Sequence, residues 1–216
     1  MSKLLVIMGS TRPTRAADRV IPWVMSQAQA RDGFDVELVD LRDWPLPFFA
    51  EHAGTLGDLA DPTYSDPLVR SWNQKVRQAD AFLLVTPEYN HSVPGALKNA
   101  IDSVWLSFGF RNKPVAALGY SAGIGGGIRA IEHLAQMFVE ADAVPLRNAT
   151  VIPFVNDAFD EQGRPVNPMT AAALTITLDD LFWWTSVLEK ARAEGELVPG
   201  QLRARAAMAA IATARP

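Results

Sequence analysis

The chain has 216 residues, and its 20 basic against 24 acidic side chains give a formal net charge of −4. This balance leaves no broad positive field, so neither nucleic acid nor an anionic membrane is expected as a partner. The chain contains no cysteine, which excludes disulfides, thiolate catalysis and cysteine-bound metal centres.

Short apolar runs alternate along the chain with longer stretches of helical period. Strands are predicted at residues 3–8, 34–39, 80–85, 114–119 and 144–152. Helices are predicted at residues 16–31, 68–79, 96–107, 127–141 and 169–193, the second with Asp66 as its N-cap and Pro67 at the first helical position. Alternation of this kind is typical of an α/β domain with a doubly wound parallel sheet.

Two segments do not fit the alternation. Residues 43–66 carry three prolines and two glycines without a sustained period, and a loop of this length is usually a lid, a pocket wall or an interface. Residues 201–216 are rich in alanine and arginine with little apolar surface to bury, which indicates a peripheral helix or an arm on a neighbouring subunit.

The loop after the first strand, residues 9–15, is suited to a phosphate. Parallel sheets bind ligands beyond the carboxyl ends of their strands, and this loop lies there, at the start of a helix. It combines Ser10, Arg12 and Arg15 with the free amides of a helix N-terminus, which favour an anion. The P-loop lysine is missing, so a monophosphate is favoured. The alternative is a polar turn with solvated arginines.

The loop after the third strand, residues 86–95, is suited to a flat ring. Two prolines stiffen it, Ser92 is a candidate N-cap for the next helix, and Tyr89 supplies an aromatic face. The backbone groups of such a loop can form hydrogen bonds with the polar edge of a heterocycle. The alternative is a rigid turn in which Tyr89 is only packed.

The glycine-rich loop after the fourth strand, residues 119–127, matches the GxSxG pattern of serine hydrolases at Ser121. The only later histidine, His133, lies about 18 Å away if the intervening residues are helical, so a serine triad is not expected. A dinucleotide fingerprint fails by one position. The glycines instead allow the backbone to approach a flat ring closely.

The motifs GSTRPTR, TPEYNHSVPGALKNAID and GYSAGIGGGIRAIEHL, with DLRDWPLPF after the second strand, resemble the NADPH-dependent FMN reductase family. The resemblance implies a flavodoxin-like fold, with a doubly wound five-stranded parallel sheet in the order 2-1-3-4-5 and helices on both faces. It divides the chain into an FMN-binding reductase domain at residues 1–195 and a C-terminal helical tail at residues 196–216.

The resemblance also implies FMN as the cofactor, with NADPH or NADH as the electron donor. It places the cofactor-binding residues in three groups, at the phosphate, along the isoalloxazine ring and near its pyrimidine end. These are respectively Ser10, Arg12 and Arg15; Pro87, Glu88, Tyr89 and Asn90; and Ser121, Ala122 and Gly123. The flavin would carry the chemistry, so no catalytic side chain is named.

The predicted activity is hydride transfer from NAD(P)H to FMN and then to a small acceptor such as a quinone, free flavin or azo compound. The alternatives are a non-catalytic flavodoxin-like electron carrier and a serine hydrolase that uses Ser121. The three histidines are scattered along the chain, so a metal site is not expected. The absence of a long apolar run favours a cytoplasmic protein. The resemblance implies an oligomer, expected as a homodimer or homotetramer, and the apolar share of 49%, with Phe48-Phe49 and Trp183-Trp184, supports it.

Overall fold

The computed structural model describes residues 1–59 and 61–213. Six strands are present in this part of the chain: β1 Ser2–Met8, β2 Phe34–Asp40, β3 Ala81–Pro87, β4 Pro114–Tyr120, β5 Val144–Pro145 and β6 Thr150–Ile152. Six α-helices accompany them: α1 Ala17–Gln29, α2 Pro67–Gln78, α3 Gly95–Asp102, α4 Ile128–Glu140, α5 Pro168–Glu194 and α6 Gly200–Thr213.

All the strands pair in parallel, and the strand order is β2-β1-β3-β4-β5, which confirms the predicted order. The predicted fifth strand at residues 144–152 is divided into β5 and β6, and both pair with β4. Val115 pairs with Pro145, and Leu118 pairs with Thr150. An advance of three residues along β4 therefore corresponds to an advance of five residues from β5 to β6. The chain therefore bulges away from the sheet between β5 and β6.

Helices cover both faces of the sheet, as predicted. Along β1, Leu5 and Ile7 belong to one core with residues of α2, α3 and α4. Leu4 and Val6 point to the opposite face and share a second core with residues of α1 and α5. Alternation of side chains along each strand fills the two cores, and both faces of the parallel sheet are therefore buried.

The predicted start of α2 is confirmed. The Asp66 carboxylate accepts hydrogen bonds from the amides of Leu68 at 2.7 Å and Val69 at 3.2 Å, with Pro67 in the first turn. The described residues between 44 and 66 form no helix or strand, yet Leu56 and Tyr64 from this segment are completely buried. The long loop is thus packed against the core beside α2.

Helix α6 has no buried residue, and residues 214–216 of the predicted tail lie outside the described residues. The division at residues 195 and 196 stays a prediction. Within the described residues, no helix is long and apolar enough to cross a membrane. The cytoplasmic location stays a prediction. The homodimer or homotetramer also stays a prediction; Phe48 and Trp183, two of the residues named for it, are 91% and 58% exposed.

Candidate functional site

The three predicted loops meet at a cavity of about 400 Å³ beyond the carboxyl ends of β1, β3 and β4. Most of the predicted residues line it: Arg12, Arg15, Pro87, Glu88, Tyr89, Ser121 and Ala122. Ser10, Asn90 and Gly123 are in the same loops but not in the cavity wall. The parallel sheet therefore brings together residues that are more than a hundred positions apart in the sequence.

The first loop offers a run of unpaired backbone donors. Within the described residues, no N–H group from Ser10 to Ala16 donates to another part of the protein, Pro13 having no N–H to give. Helix α1 begins at Ala17, and its N-cap residue Ala16 provides no side-chain cap. Unpaired amides and the positive end of the helix dipole together attract an anion.

Arg12 adds a positive charge that no carboxylate in the described chain neutralises. Its guanidinium lies 5.4 Å from the centre of the Tyr89 ring, a cation–π contact, and the side chain is exposed. Arg42 donates to the carbonyl oxygens of Arg12 and Pro13, so the backbone of the loop is held while the Arg12 guanidinium is left available.

Arg15, in contrast, is already bound to the protein. Its guanidinium donates to both carboxylate oxygens of Asp40, to the Asp18 carboxylate at 2.8 Å and to the Ser10 carbonyl at 2.6 Å. The hydrogen bonding between the two side chains lowers the pKa of Asp40 and raises the pKa of Arg15. These contacts link the first loop to the end of β2.

The second loop is closed by a tight turn. Tyr89 and Ser92 exchange backbone hydrogen bonds of 2.8 and 3.0 Å, and Asn90 and His91 between them have φ angles of 48° and 71°. Two central residues with positive φ match a type I′ turn, in which asparagine is favoured. The Tyr89 hydroxyl lies 2.7 Å from the Ser10 hydroxyl, which joins this loop to the first.

The position of Ser92 differs from the prediction. Helix α3 begins at Gly95 with Pro94 as its N-cap, so the predicted N-cap role of Ser92 is wrong. The Ser92 hydroxyl instead lies 2.8 Å from Nδ1 of His133 on α4. Pro94 extends the loop past Ser92, because the residue before a proline disfavours the helical conformation, and the Ser92 hydroxyl contacts α4 instead.

Glu88 is held by a residue that the sequence analysis missed. Arg129 on α4 forms an ion pair with the Glu88 carboxylate, and its backbone amide lies 3.4 Å from the same group. The Glu88 side chain is only 7% exposed. Because 41 positions separate the two residues, no local pattern indicated this link between the second loop and α4.

In the third loop, the Ser121 hydroxyl donates to the Gly123 carbonyl at 3.0 Å, and no histidine of the described chain forms a hydrogen bond with it. This geometry provides no histidine base for a Ser121 nucleophile. The amides of Ala122 and Gly123 have no acceptor among the described residues. They are therefore available to the edge of a ligand.

Tyr120 is a second site residue that the sequence analysis missed. It lines the cavity and is 3% exposed, and its hydroxyl makes no hydrogen bond of normal geometry in the described part of the chain, with the Ser10 side chain as a polar neighbour. Burial raises the pKa of this hydroxyl, so it stays neutral and can donate. A buried polar group without a well-formed hydrogen bond costs free energy.

The residues around the cavity fit one phosphate and one flat ring. The unpaired amides of the first loop and Arg12 suit the phosphate, whereas Tyr89, Tyr120 and the free amides of the third loop suit a polar ring. No group of three or more potential metal-ligating side chains is found in the described residues.

Comparison with known proteins gives a consistent result. The family model for NADPH-dependent FMN reductase matches residues 2–157. An NAD(P)H-dependent FMN reductase of Schizosaccharomyces pombe is 35% identical over 153 residues, covering 70% of this chain and 74% of the relative. A quinone reductase of Escherichia coli is 48% identical over 113 residues, covering 50% and 59%.

The fold is also shared with solved structures. The flavoenzyme FerB, an NAD(P)H:(acceptor) oxidoreductase of Paracoccus denitrificans, superimposes with a TM-score of 0.67 over 86% of this chain and 98% of its own, at 24% identity. At this identity the match shows the fold alone. The sheet and its helices match the flavodoxin-like fold that the resemblance implied.

Proposed function

Because the chain belongs to the NADPH-dependent FMN reductase family, we propose that it oxidises NAD(P)H through FMN seated in the cavity between the three loops. The family, the oxidoreductase class and the use of FMN and NAD(P)H were all predicted, and the comparisons confirm them. The electron acceptor is proposed as a small molecule, of which a quinone, free flavin and an azo compound are the candidates.

The observation that carries the assignment to this cavity is the unpaired amides from Ser10 to Ala16 beside the uncompensated charge of Arg12. The chemistry that bound FMN would supply is to accept hydride from a nicotinamide and to pass electrons to an acceptor. The protein would contribute binding, orientation and hydrogen bonds at the ring.

Each loop has a proposed part in binding. The amides of the first loop and Arg12 hold the phosphate, while Arg15, bound to Asp40, keeps that loop in place. Tyr89 covers the ring beside Arg12, and the Ala122 and Gly123 amides donate to its polar edge. Donors at this edge stabilise negative charge on a reduced ring. Ser10, Pro87, Glu88, Asn90 and Ser121 complete the proposed binding residues.

The proposal is tested with the purified full chain. We expect a flavin absorption band after addition of FMN, and NAD(P)H oxidation that depends on FMN and on an added quinone. Flavin binding without oxidation of either nicotinamide under anaerobic mixing would identify an electron carrier. Labelling of Ser121 by a fluorophosphonate, without flavin binding, would instead support a hydrolase.

Replacing Arg12 with alanine is expected to weaken FMN binding about tenfold or more, because one charge-assisted contact to the phosphate is lost. Fluorescence titration of the apoprotein with FMN and with riboflavin measures this. The loss should be confined to FMN, since riboflavin has no phosphate.

Arg147→Ala is the matched control, because Arg147 is also an exposed arginine and, within the described residues, its side chain hydrogen-bonds only to that of Asn148. Its FMN affinity should equal that of the wild type. Equal FMN affinity in the Arg12 variant would remove Arg12 from the phosphate site.

A further inference from the structure

A second cavity, of about 510 Å³, lies at the opposite end of the strands from the three loops. Lys113, which immediately precedes β4, lines it together with the end of α2 and the chain that follows α5. Strand β4 runs from this cavity to the FMN cavity, so the two sites are separated by the length of a strand. The second cavity is not part of the proposed reductase site.

Four cationic side chains line this cavity, and they differ in whether a carboxylate neutralises them. Arg192 donates to the Asp80 carboxylate at 2.9 Å, whereas Arg111 lies 3.4 Å from Glu196 and 3.5 Å from Asp142. Arg77 makes no hydrogen bond or ion pair through its guanidinium within the described residues. One full positive charge therefore faces the cavity without a partner.

Lys113 adds a buried amine to the same wall. It is 8% exposed, and Nζ donates to the carbonyl oxygens of Val76 at 3.2 Å and Arg77 at 2.8 Å, with the centre of the Phe82 ring 5.9 Å away. A protonated amine has one further N–H to donate. Burial, reinforced by Arg192 and Arg77, lowers the pKa of Lys113 to about 7, although Asp80 and Glu196 oppose the shift. An anion in the cavity would relieve this repulsion.

Apolar side chains form much of the remaining wall. They are Leu59, Phe108, Leu197, Val198 and Leu202, and Ser107 and Glu196 also line the cavity. We propose that this cavity binds a small organic anion with an apolar body, its carboxylate, sulfonate or phosphate group contacting Lys113 and Arg77. A cationic end and an apolar wall in one cavity match the two ends of such a molecule.

The probe for this site is 1-anilinonaphthalene-8-sulfonate, added to protein that has been saturated with FMN. We expect saturable binding of one molecule per chain, with enhanced probe fluorescence and no release of FMN. Arg77→Ala should weaken this binding about tenfold, the effect of losing one charge-assisted contact. Lys190→Ala, which removes an exposed charge from α5, should leave it unchanged.

The affinity should also depend on pH in the wild type. An opposite charge in contact raises the pKa of a lysine, typically by about one to three units. Binding should therefore be about tenfold or more tighter at pH 6 than at pH 9, because the Lys113 amine of the free protein is mostly protonated at pH 6 and mostly neutral at pH 9. The charged groups that face Lys113 are Arg77, Asp80, Arg192 and Glu196, none of which is a histidine.

Three results would overturn the proposal: displacement of FMN by the probe, equal weakening by Arg77→Ala and Lys190→Ala, or an affinity that does not change between pH 6 and pH 9. Lys113→Met provides a further test where it folds, since it should remove the pH dependence. The Arg77 variant and the wild-type pH profile keep the proposal testable without it.

Discussion

Replacing Gly127 with alanine is expected to lower the free energy of unfolding by about 3 kcal/mol or more and to prevent FMN binding. Gly127 has a φ angle of 92°, and a Cβ atom there would lie 2.4 Å from the Tyr120 amide nitrogen and 2.7 Å from Gly119. Backbone atoms cannot rotate away from such a contact. The third loop and the end of β4 would have to separate.

Gly163→Ala is the matched control for this variant. Gly163 has a φ angle of 73° but no atom within 4 Å of the added Cβ, so only the backbone strain applies, about 1 kcal/mol. Urea unfolding of both variants and FMN titration measure the difference. Equal losses of stability would mean that the close packing of Gly127 against β4 does not matter.

The second large effect is expected at Asp40. Asp40→Ala should lower the free energy of unfolding of the apoprotein by about 3 kcal/mol, because the Arg15 side chain, only 4% exposed, loses its two-bond partner. Asp18→Ala removes the other, half-exposed carboxylate from Arg15 and should cost less than about 1 kcal/mol. Chemical unfolding of both variants tests the ranking.

The same pair predicts a pH dependence. The pKa of Asp40 is lowered in the folded protein, chiefly by the hydrogen bond from Arg15. Its contribution to stability is therefore complete above the unfolded pKa, near about 4, and is lost as the pH falls through the folded pKa. The difference in stability between wild type and Asp40→Ala should shrink on acidification. A constant difference between pH 7 and pH 3 would contradict this sign.

Several features of the site could be predicted because their causes are local. The polar loops after β1, β3 and β4 follow directly from apolar strand residues and the prolines, glycines and hydroxyls that interrupt them. Asp66 followed by Pro67 likewise indicates a helix start within a few residues. The expectation for Ser92 failed because α3 begins only at Gly95, after Pro94.

Other features depend on residues that only the folded sheet brings together. Arg15 meets Asp40 because β2 lies beside β1, and Glu88 meets Arg129 because β3 lies beside β4. The sequence allowed Arg15 to bind a phosphate directly, whereas the structure shows a partner 25 positions away. The split of the fifth strand is also a matter of pairing, since register depends on the neighbouring strand.

The sequence by itself determined the alternating elements, the strand-end loops and, through their motifs, the family and its cofactor. Hydrophobic period and turn chemistry act over a few residues, so they can be read along the chain. Only the tertiary structure decided which charges are free: Arg12 has no carboxylate partner in the described chain, whereas Arg15 has two. Charge pairing depends on distance in space, and the packing of distant strands and helices sets that distance.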